Sequence, residues 1–142
     1  MTIREVVQRF LDIYASGDLK PLHTLFAPDF EFELLPKSLD VRSRKKEEFI
    51  EWVGGVFRAF AGGRVKIEIV EVIEVPKSRK VVVHVSSSRF SFRRGRSCNS
   101  HHMEYIFTFT LDESGTKVVH LREFLDSNMA VQYSSQGFVV QG

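Results

Sequence analysis

Ionisable side chains interrupt two strongly apolar segments near the C-terminal end of the sequence. The first, residues 99–111, is rich in aromatic and β-branched residues, and the second, residues 117–126, follows a short polar stretch that contains Gly115. This pattern predicts a β-hairpin. Among the polar and ionisable side chains inside its arms are His101, His102, Glu104, His120, Arg122, Glu123 and Asp126. A carboxyl group held among apolar side chains has a raised pKa and can transfer protons, so we predict that this hairpin forms the floor of a pocket.

Asp126 closes the second arm of this hairpin. In a regular strand its side chain lies on the same side as Phe124 and Arg122. If that side faces the pocket, loss of hydration raises the pKa of Asp126 and makes it a general acid or base. We therefore predict Asp126 as the residue that moves a proton, with Arg122 and Phe124 as substrate contacts. The alternative is that Asp126 caps the turn that follows, assisted by Ser127.

Glu104 lies two residues after His102, so both side chains share one face of the first arm. A glutamate and a histidine in this arrangement can form a hydrogen-bonded acid–base pair. The alternative is a structural salt bridge between Glu104 and Arg122. His84 interrupts the apolar run 81–85 and is a further catalytic candidate, although a histidine there is more often a hydrogen-bonded core residue.

The candidate groups must be positioned by helices and strands, and the sequence pattern is mainly helical in the first part of the chain and mainly strand-like in the second. Thr2 and Glu5 form a capping box for a first helix that ends at Gly17, and a short second helix covers residues 19–26. Ser43 is the predicted cap of a third helix, whose Trp52 and Phe57 pack on the sheet and line the pocket mouth. Strand alternation appears before this helix at 30–35 and after it at 65–73, 80–92 and in the hairpin. Helices followed by a strand meander predict an α+β fold with helices on one face of a mostly antiparallel sheet.

The composition is that of an ordinary globular domain, and we predict a single domain over residues 1–142. A net charge of +2 argues against a nucleic-acid binder, and no segment is apolar enough for a membrane span or a signal peptide. The single cysteine, Cys98, excludes an internal disulfide, so a cytoplasmic location is expected. Adjacent His101 and His102 point in opposite directions in a strand, and we predict no metal site. Thirteen phenylalanines predict a core or cavity walled by aromatic rings.

Four segments carry a resemblance to a known family: residues 10–14 followed by Gly17 and Asp18, residues 25–30, residues 103–109, and residues 123–127. Together they resemble the nuclear-transport-factor-2-like, or SnoaL-like, superfamily, and in particular small fungal members that act on polyketide or terpenoid intermediates. The resemblance implies a cone-shaped α+β barrel with three N-terminal helices packed on a curved, mostly antiparallel sheet. It also implies no cofactor and a homodimer formed through the outer face of the sheet. Asp126 matches the position of the aspartate that closes the last strand in SnoaL-like enzymes.

These observations predict a cofactor-free isomerase, cyclase or dehydratase, that is, an isomerase or lyase of secondary metabolism, acting on an apolar small molecule. Asp126 would move the proton and Glu104 with His102 would relay it. The predicted substrate contacts are Tyr14, Trp52, Phe57, Arg122 and Phe124. The alternative is a non-catalytic module of the same fold that binds a small molecule or mediates dimerisation.

Overall fold

The computed structural model describes residues 1–59, 66–90, 101–128 and 130–131, with the side chains of residues 88–90, 101 and 102 left out of the description. It contains three α-helices, α1 (Ile3–Ser16), α2 (Leu22–Leu25) and α3 (Lys46–Arg58), and two one-turn 3-10 segments (Lys37–Leu39 and Pro76–Ser78). Its strands are β1 (Phe26–Leu35), β2 (Arg44–Lys45), β3 (Ile67–Val75), β4 (Lys80–Phe90), β5 (His101–Leu111) and β6 (Val118–Leu125). No helix in these ranges is both long and apolar enough to span a bilayer.

Helix α1 begins and ends where the sequence predicts. The Thr2 hydroxyl accepts a hydrogen bond from the backbone N–H of Glu5 at 3.2 Å, and the Glu5 carboxylate accepts one from the N–H of Thr2. Gly17 ends the helix at a φ of 77°, a left-handed conformation that glycine adopts without steric cost. The predicted Ser43 cap of α3 is wrong, because β2 intervenes and the cap position is Lys45, which makes no side-chain capping bond.

All six strands form one sheet in the order β2-β1-β6-β5-β4-β3. Four neighbouring pairs are antiparallel, and the β1–β6 pair is parallel. The α+β class is therefore confirmed, with a mixed sheet. Two of the helices precede β1, and α3 follows β2.

The helices cover one face of this sheet, which we call the inner face and which carries Val83, Phe107 and Phe109. Phe10 of α1 packs edge-on against the rings of Phe107 and Phe109, with centroids 5.5 and 5.1 Å apart. Phe49 of α3 packs against the rings of three β1 phenylalanines. The predicted aromatic core is present, since seven phenylalanines are fully buried: Phe10, Phe26, Phe30, Phe32, Phe49, Phe107 and Phe109.

Strand β3 covers most of the alternating segment 65–73, and such alternation predicts one buried face and one exposed face, but the structure differs. Each of its residues is partly or fully exposed, and Ile69 and Ile73 retain 40% and 51% of their surface. The physical reason is position, because β3 is an edge strand and α1 is the described helix that contacts it.

Candidate active site

Glu123 is the carboxyl group that the last strand presents to the inner face. In β6, Leu121 is completely buried, and side chains two residues apart share a face, so Glu123 and Leu125 point the same way. Glu123 stands directly opposite Phe107 of β5, one of the fully buried rings. The Glu123 side chain keeps some accessible surface. It therefore lies beside the aromatic core without being sealed into it.

Tyr14 reaches the same region from α1. It lies one helical turn after Phe10, and the two rings are 4.3 Å apart. The ring of Phe57 in α3 packs edge-on against Tyr14 at 4.9 Å, and only 4% of the Tyr14 surface remains exposed. The Tyr14 phenol also interacts electrostatically with Glu123 and with Tyr105 of β5, and both raise its pKa. Helices α1 and α3 thus place a phenol within electrostatic range of the Glu123 carboxyl.

Burial keeps both groups protonated. It raises the pKa of Glu123 from the usual 4.5 to about 8. Burial first, and then the nearby Glu123 and Tyr105, raise the pKa of the Tyr14 phenol far above its usual range. At neutral pH the inner face therefore presents a neutral carboxylic acid and a neutral phenol, and both are hydrogen-bond donors.

The Glu123 carboxyl has no ion pair or hydrogen bond with any residue in the described part of the chain. A half-buried carboxyl that is not used structurally can donate its proton to an oxygen atom of a bound molecule and later take a proton back. Tyr105 differs, because its hydroxyl contacts the sulfur of Met103 at 3.6 Å. Glu123 and Tyr14 are therefore a candidate pair for proton transfer on the inner face.

Asp126 lies just beyond the end of β6. A helical turn follows it, and its backbone carbonyl accepts a hydrogen bond from the N–H of Ala130 at 2.9 Å. This is the N-cap position of that turn, in line with the structural alternative for Asp126. Asp126 is partly exposed and takes part in a further interaction within the protein. Its catalytic role remains a prediction.

Glu104 lies on the opposite, outer face of the sheet. Its side chain is 67% exposed, and its carboxylate pairs with Nε2 of His84 at 2.7 Å. Placing Glu104 in the pocket was therefore wrong, as was the alternative of a salt bridge to Arg122. His84 is a partly exposed partner of Glu104 rather than a residue of the apolar core. The side chain of His102 is not among those described.

Arg122 and Phe124 also lie on the outer face. Arg122 contacts the Glu33 carboxylate at 3.5 Å, and His120 contacts the same carboxylate at 2.7 Å. Phe124 stands opposite Ile106 and is 51% exposed. The prediction that this side of β6 faces the pocket is wrong, because the helices cover the other side.

The two aromatic candidates of α3 have different surroundings. Trp52 packs on Phe32 at 5.7 Å, and the guanidinium group of Arg44 lies 4.5 Å from the centre of its ring. Phe57 is 5% exposed and touches Tyr14. Of the predicted substrate contacts, Tyr14 and Phe57 come together, whereas Trp52 packs against β1 and β2.

Glu123 was counted among the ionisable groups of the hairpin but was not selected as a site residue. The signal that could have found it is its spacing, since Leu121 and Leu125 flank it two residues away on each side. Within the described ranges, no three His, Cys, Asp or Glu side chains converge as metal ligands. Glu123 and Tyr14 are the candidate acid–base groups of the inner face, one a carboxyl and the other a phenol.

Comparison with known proteins identifies the fold. The family model described as the SnoaL-like domain matches residues 7–121. Curated protein sequences give no match. BvnE pinacolase from Penicillium brevicompactum superposes with a TM-score of 0.81 at 18% identity, covering 95% of this chain and 92% of that chain.

Two further fungal structures are similar to this chain. For PrhC from Penicillium brasilianum the TM-score is 0.77 at 14% identity, with 96% of this chain and 93% of that chain covered. For AusH from Aspergillus nidulans it is 0.75 at 22% identity, with 88% and 84% covered. At these identities the three structures establish a shared fold, and the chemistry has to be argued from the residues of this chain.

Proposed function

We propose, since the chain belongs to the SnoaL-like domain family, that it is a cofactor-free isomerase, cyclase or dehydratase that acts by proton transfer on an apolar small molecule. The observation that carries this proposal is the Glu123 carboxyl on the inner face, which lies near Tyr14 and has no partner in the described part of the chain. An unused, partly accessible carboxyl beside an aromatic core has no evident structural purpose. Proton transfer gives it one.

Glu123 would act first as a general acid. Its proton passes to a carbonyl, hydroxyl or epoxide oxygen of the substrate while Tyr14 donates a hydrogen bond to that region. A carbon–hydrogen bond of the substrate then breaks, and the carboxylate left on Glu123 accepts that proton directly or through water. The overall reaction is an isomerisation or a ring closure, or it is a dehydration when the protonated hydroxyl leaves as water. Asp126 is retained as a second proton-transfer candidate, whereas Glu104 and His84 contact each other on the outer face.

The substrate would be mostly hydrocarbon with a few oxygen atoms. Phe10, Phe57 and Phe107 surround Tyr14 and Glu123 with benzyl rings, which favour burial of a flat or polycyclic body. The cone-shaped recess that the family fold implies would hold this body. A polyketide or terpenoid intermediate has this chemistry, and the pinacolase name of BvnE is in keeping with rearrangement of an oxygenated carbon skeleton.

The test is an incubation with a panel of polycyclic ketones and alcohols in deuterated water, followed by mass spectrometry. We expect at least one compound to yield an isomer that carries solvent deuterium on carbon, or a product that has lost water, without any added cofactor. Compounds that bind but are recovered unchanged and free of deuterium would contradict the enzymatic proposal.

That contrary outcome would favour the second candidate, a non-catalytic ligand-binding or dimerisation module. The seven buried phenylalanines support it, because their rings fill a large part of the space between the helices and the sheet. The two candidates differ in what they require of Glu123. Only the enzyme needs it to exchange protons with the ligand.

We also propose that the protein forms a homodimer through the outer face of the sheet. Ile106 and Phe124 are cross-strand neighbours with 44% and 51% of their surfaces exposed. Ile73, which is 51% exposed, lies on the same face but two strands from Ile106, across β4. Apolar side chains adjacent in this way make a patch that a second copy can cover, and the same patch on both copies satisfies two-fold symmetry.

Phe124→Asp should weaken this dimer at least about tenfold, because it places a charge in an apolar contact. Sedimentation velocity over a range of concentrations measures the change. The matched control is Val131→Asp, which charges an exposed apolar residue outside the sheet and should leave the dimer intact. A wild-type protein that stays monomeric at all concentrations would exclude the dimer.

A further inference from the structure

A recess of about 280 Å³ lies outside the Glu123 site, between the connection from α1 to α2 and the helix α3. Its apolar wall is formed by Leu19, Ile50 and Phe57, and its polar rim by Lys20, His23 and Arg58. The volume is close to the lower end of the range for small-molecule sites, roughly 300 to 1,000 Å³. The recess is thus large enough for a compact organic molecule.

The rim is basic and is not neutralised locally. No Asp or Glu is among the residues that line the recess. Nδ1 of His23 contacts the Glu47 carboxylate at 3.2 Å. Lys20 and Arg58 form no ion pair with any residue described in the structure. Two cations on one apolar recess attract a negative charge and leave room for a hydrocarbon body behind it.

Gly54 keeps this recess open. A Cβ at position 54 would lie 3.4 Å from Nη1 of Arg58 and 3.8 Å from Cδ1 of Leu19, so it would point into the recess. A glycine inside a helix costs about 1 kcal/mol relative to alanine. The open space that Gly54 leaves in front of Leu19 explains why a glycine is present at this helical position despite that cost. Gly55 does not line the recess, and a Cβ there would meet only Nη2 of Arg58, at 3.7 Å.

We propose that this recess is a second ligand site, which binds a small organic anion: a carboxylate, sulfonate or phosphate carried on an aromatic or alkyl body. Lys20 and Arg58 hold the anionic group, and Leu19, Ile50 and Phe57 contact the body. The anion distinguishes this ligand from the neutral substrate proposed for the interior. Phe57 belongs to both sites, because its ring also packs against Tyr14.

The probe pair is 2-naphthalenesulfonate and the neutral 2-naphthalenemethanol, titrated into the ¹⁵N-labelled full chain and followed by NMR. We expect the sulfonate to shift the amide signals of Lys20 and Gly54 at concentrations at least about tenfold lower than the alcohol, and its affinity to fall with added salt. Equal binding of the two probes would overturn the proposal. So would sulfonate-induced shifts centred on Glu123 in place of the recess.

Two sets of variants separate recognition from folding. Lys20→Gln combined with Arg58→Gln should weaken sulfonate binding at least about tenfold and leave the alcohol unchanged, since both positions are exposed. Gly54→Leu should block both probes, whereas Gly55→Leu, which brings the same gain in helix propensity, should block neither. Sulfonate binding that survives the double variant, or that Gly54→Leu and Gly55→Leu alter equally, would contradict the assignment.

Discussion

Glu123→Gln should lower kcat on the true substrate by about 10²- to 10⁴-fold, the range in which a positioned general acid or base contributes. Glutamine keeps the size of the side chain and can still donate a hydrogen bond, but it cannot give up a proton. Substrate binding should change less than kcat, because the apolar walls that hold the hydrocarbon are unaltered. For the wild type, kcat should decline above about pH 8, where Glu123 loses its proton. Steady-state kinetics on a compound identified by the deuterium assay measures both effects.

Two control variants make this result specific. Glu104→Gln removes a carboxylate from the exposed outer face and should leave kcat within about twofold of the wild type. Asp126→Asn tests the other acid–base candidate. If Asp126→Asn abolished turnover while Glu123→Gln retained it, the proton-transfer role would belong to Asp126. A Glu123→Gln enzyme with full activity would remove the observation on which the proposed function rests.

Local signals in the sequence were sufficient for helix α1 and for the fold class. The capping box of Thr2 and Glu5 and the left-handed Gly17 depend on residues within a few positions of one another, so the boundaries of α1 follow from the sequence. The alternation of β5 likewise follows from its own residues. The parallel pairing of β1 with β6 does not, because it joins segments more than 80 residues apart and depends on how the whole sheet assembles.

The site residues were harder to predict because alternation separates two faces without saying which one is covered. In β5, Tyr105 and Phe107 lie on one face and Ile106 on the other, and both sets are apolar. The helices choose between them, since Phe10 packs on the face of Phe107. Because the helices cover the face that carries Phe107, Glu104 is exposed on the outer face and Glu123 lies on the inner face.

Asp126 raises a different difficulty, because its predicted side depended on β6 remaining a strand. The strand ends at Leu125 and a helical turn begins after Asp126. Two-residue alternation therefore no longer applies at that position. The last residue of a strand is the one for which this rule is least informative.

The Glu123 carboxyl should make the folded protein less stable as pH rises, and Glu123→Gln should remove this pH dependence. Below pH 4.5 the carboxyl is protonated in both the folded and the unfolded chain, so it contributes no pH dependence. Between 4.5 and about 8 the unfolded chain loses this proton while the folded chain keeps it, so folding takes up a proton and becomes less favourable as pH rises. Each unit of pKa difference corresponds to about 1.4 kcal/mol, so the loss is on the order of 4 kcal/mol over this window.

Urea unfolding of the wild type and Glu123→Gln at pH 4.5, 6 and 8 measures this contribution as a difference between the two proteins. All other titratable groups are present in both proteins, so their contributions cancel in the difference. The free energy of unfolding of Glu123→Gln minus that of the wild type should therefore increase by on the order of 4 kcal/mol between pH 4.5 and pH 8. Glu113→Gln, in the exposed turn between β5 and β6, controls for the loss of one charge and should keep the wild-type trend. A Glu123→Gln advantage that stays constant with pH would mean that the carboxyl is ionised and hydrated in the folded protein. It could then not serve as an acid at neutral pH, and the interior would be better regarded as a binding site.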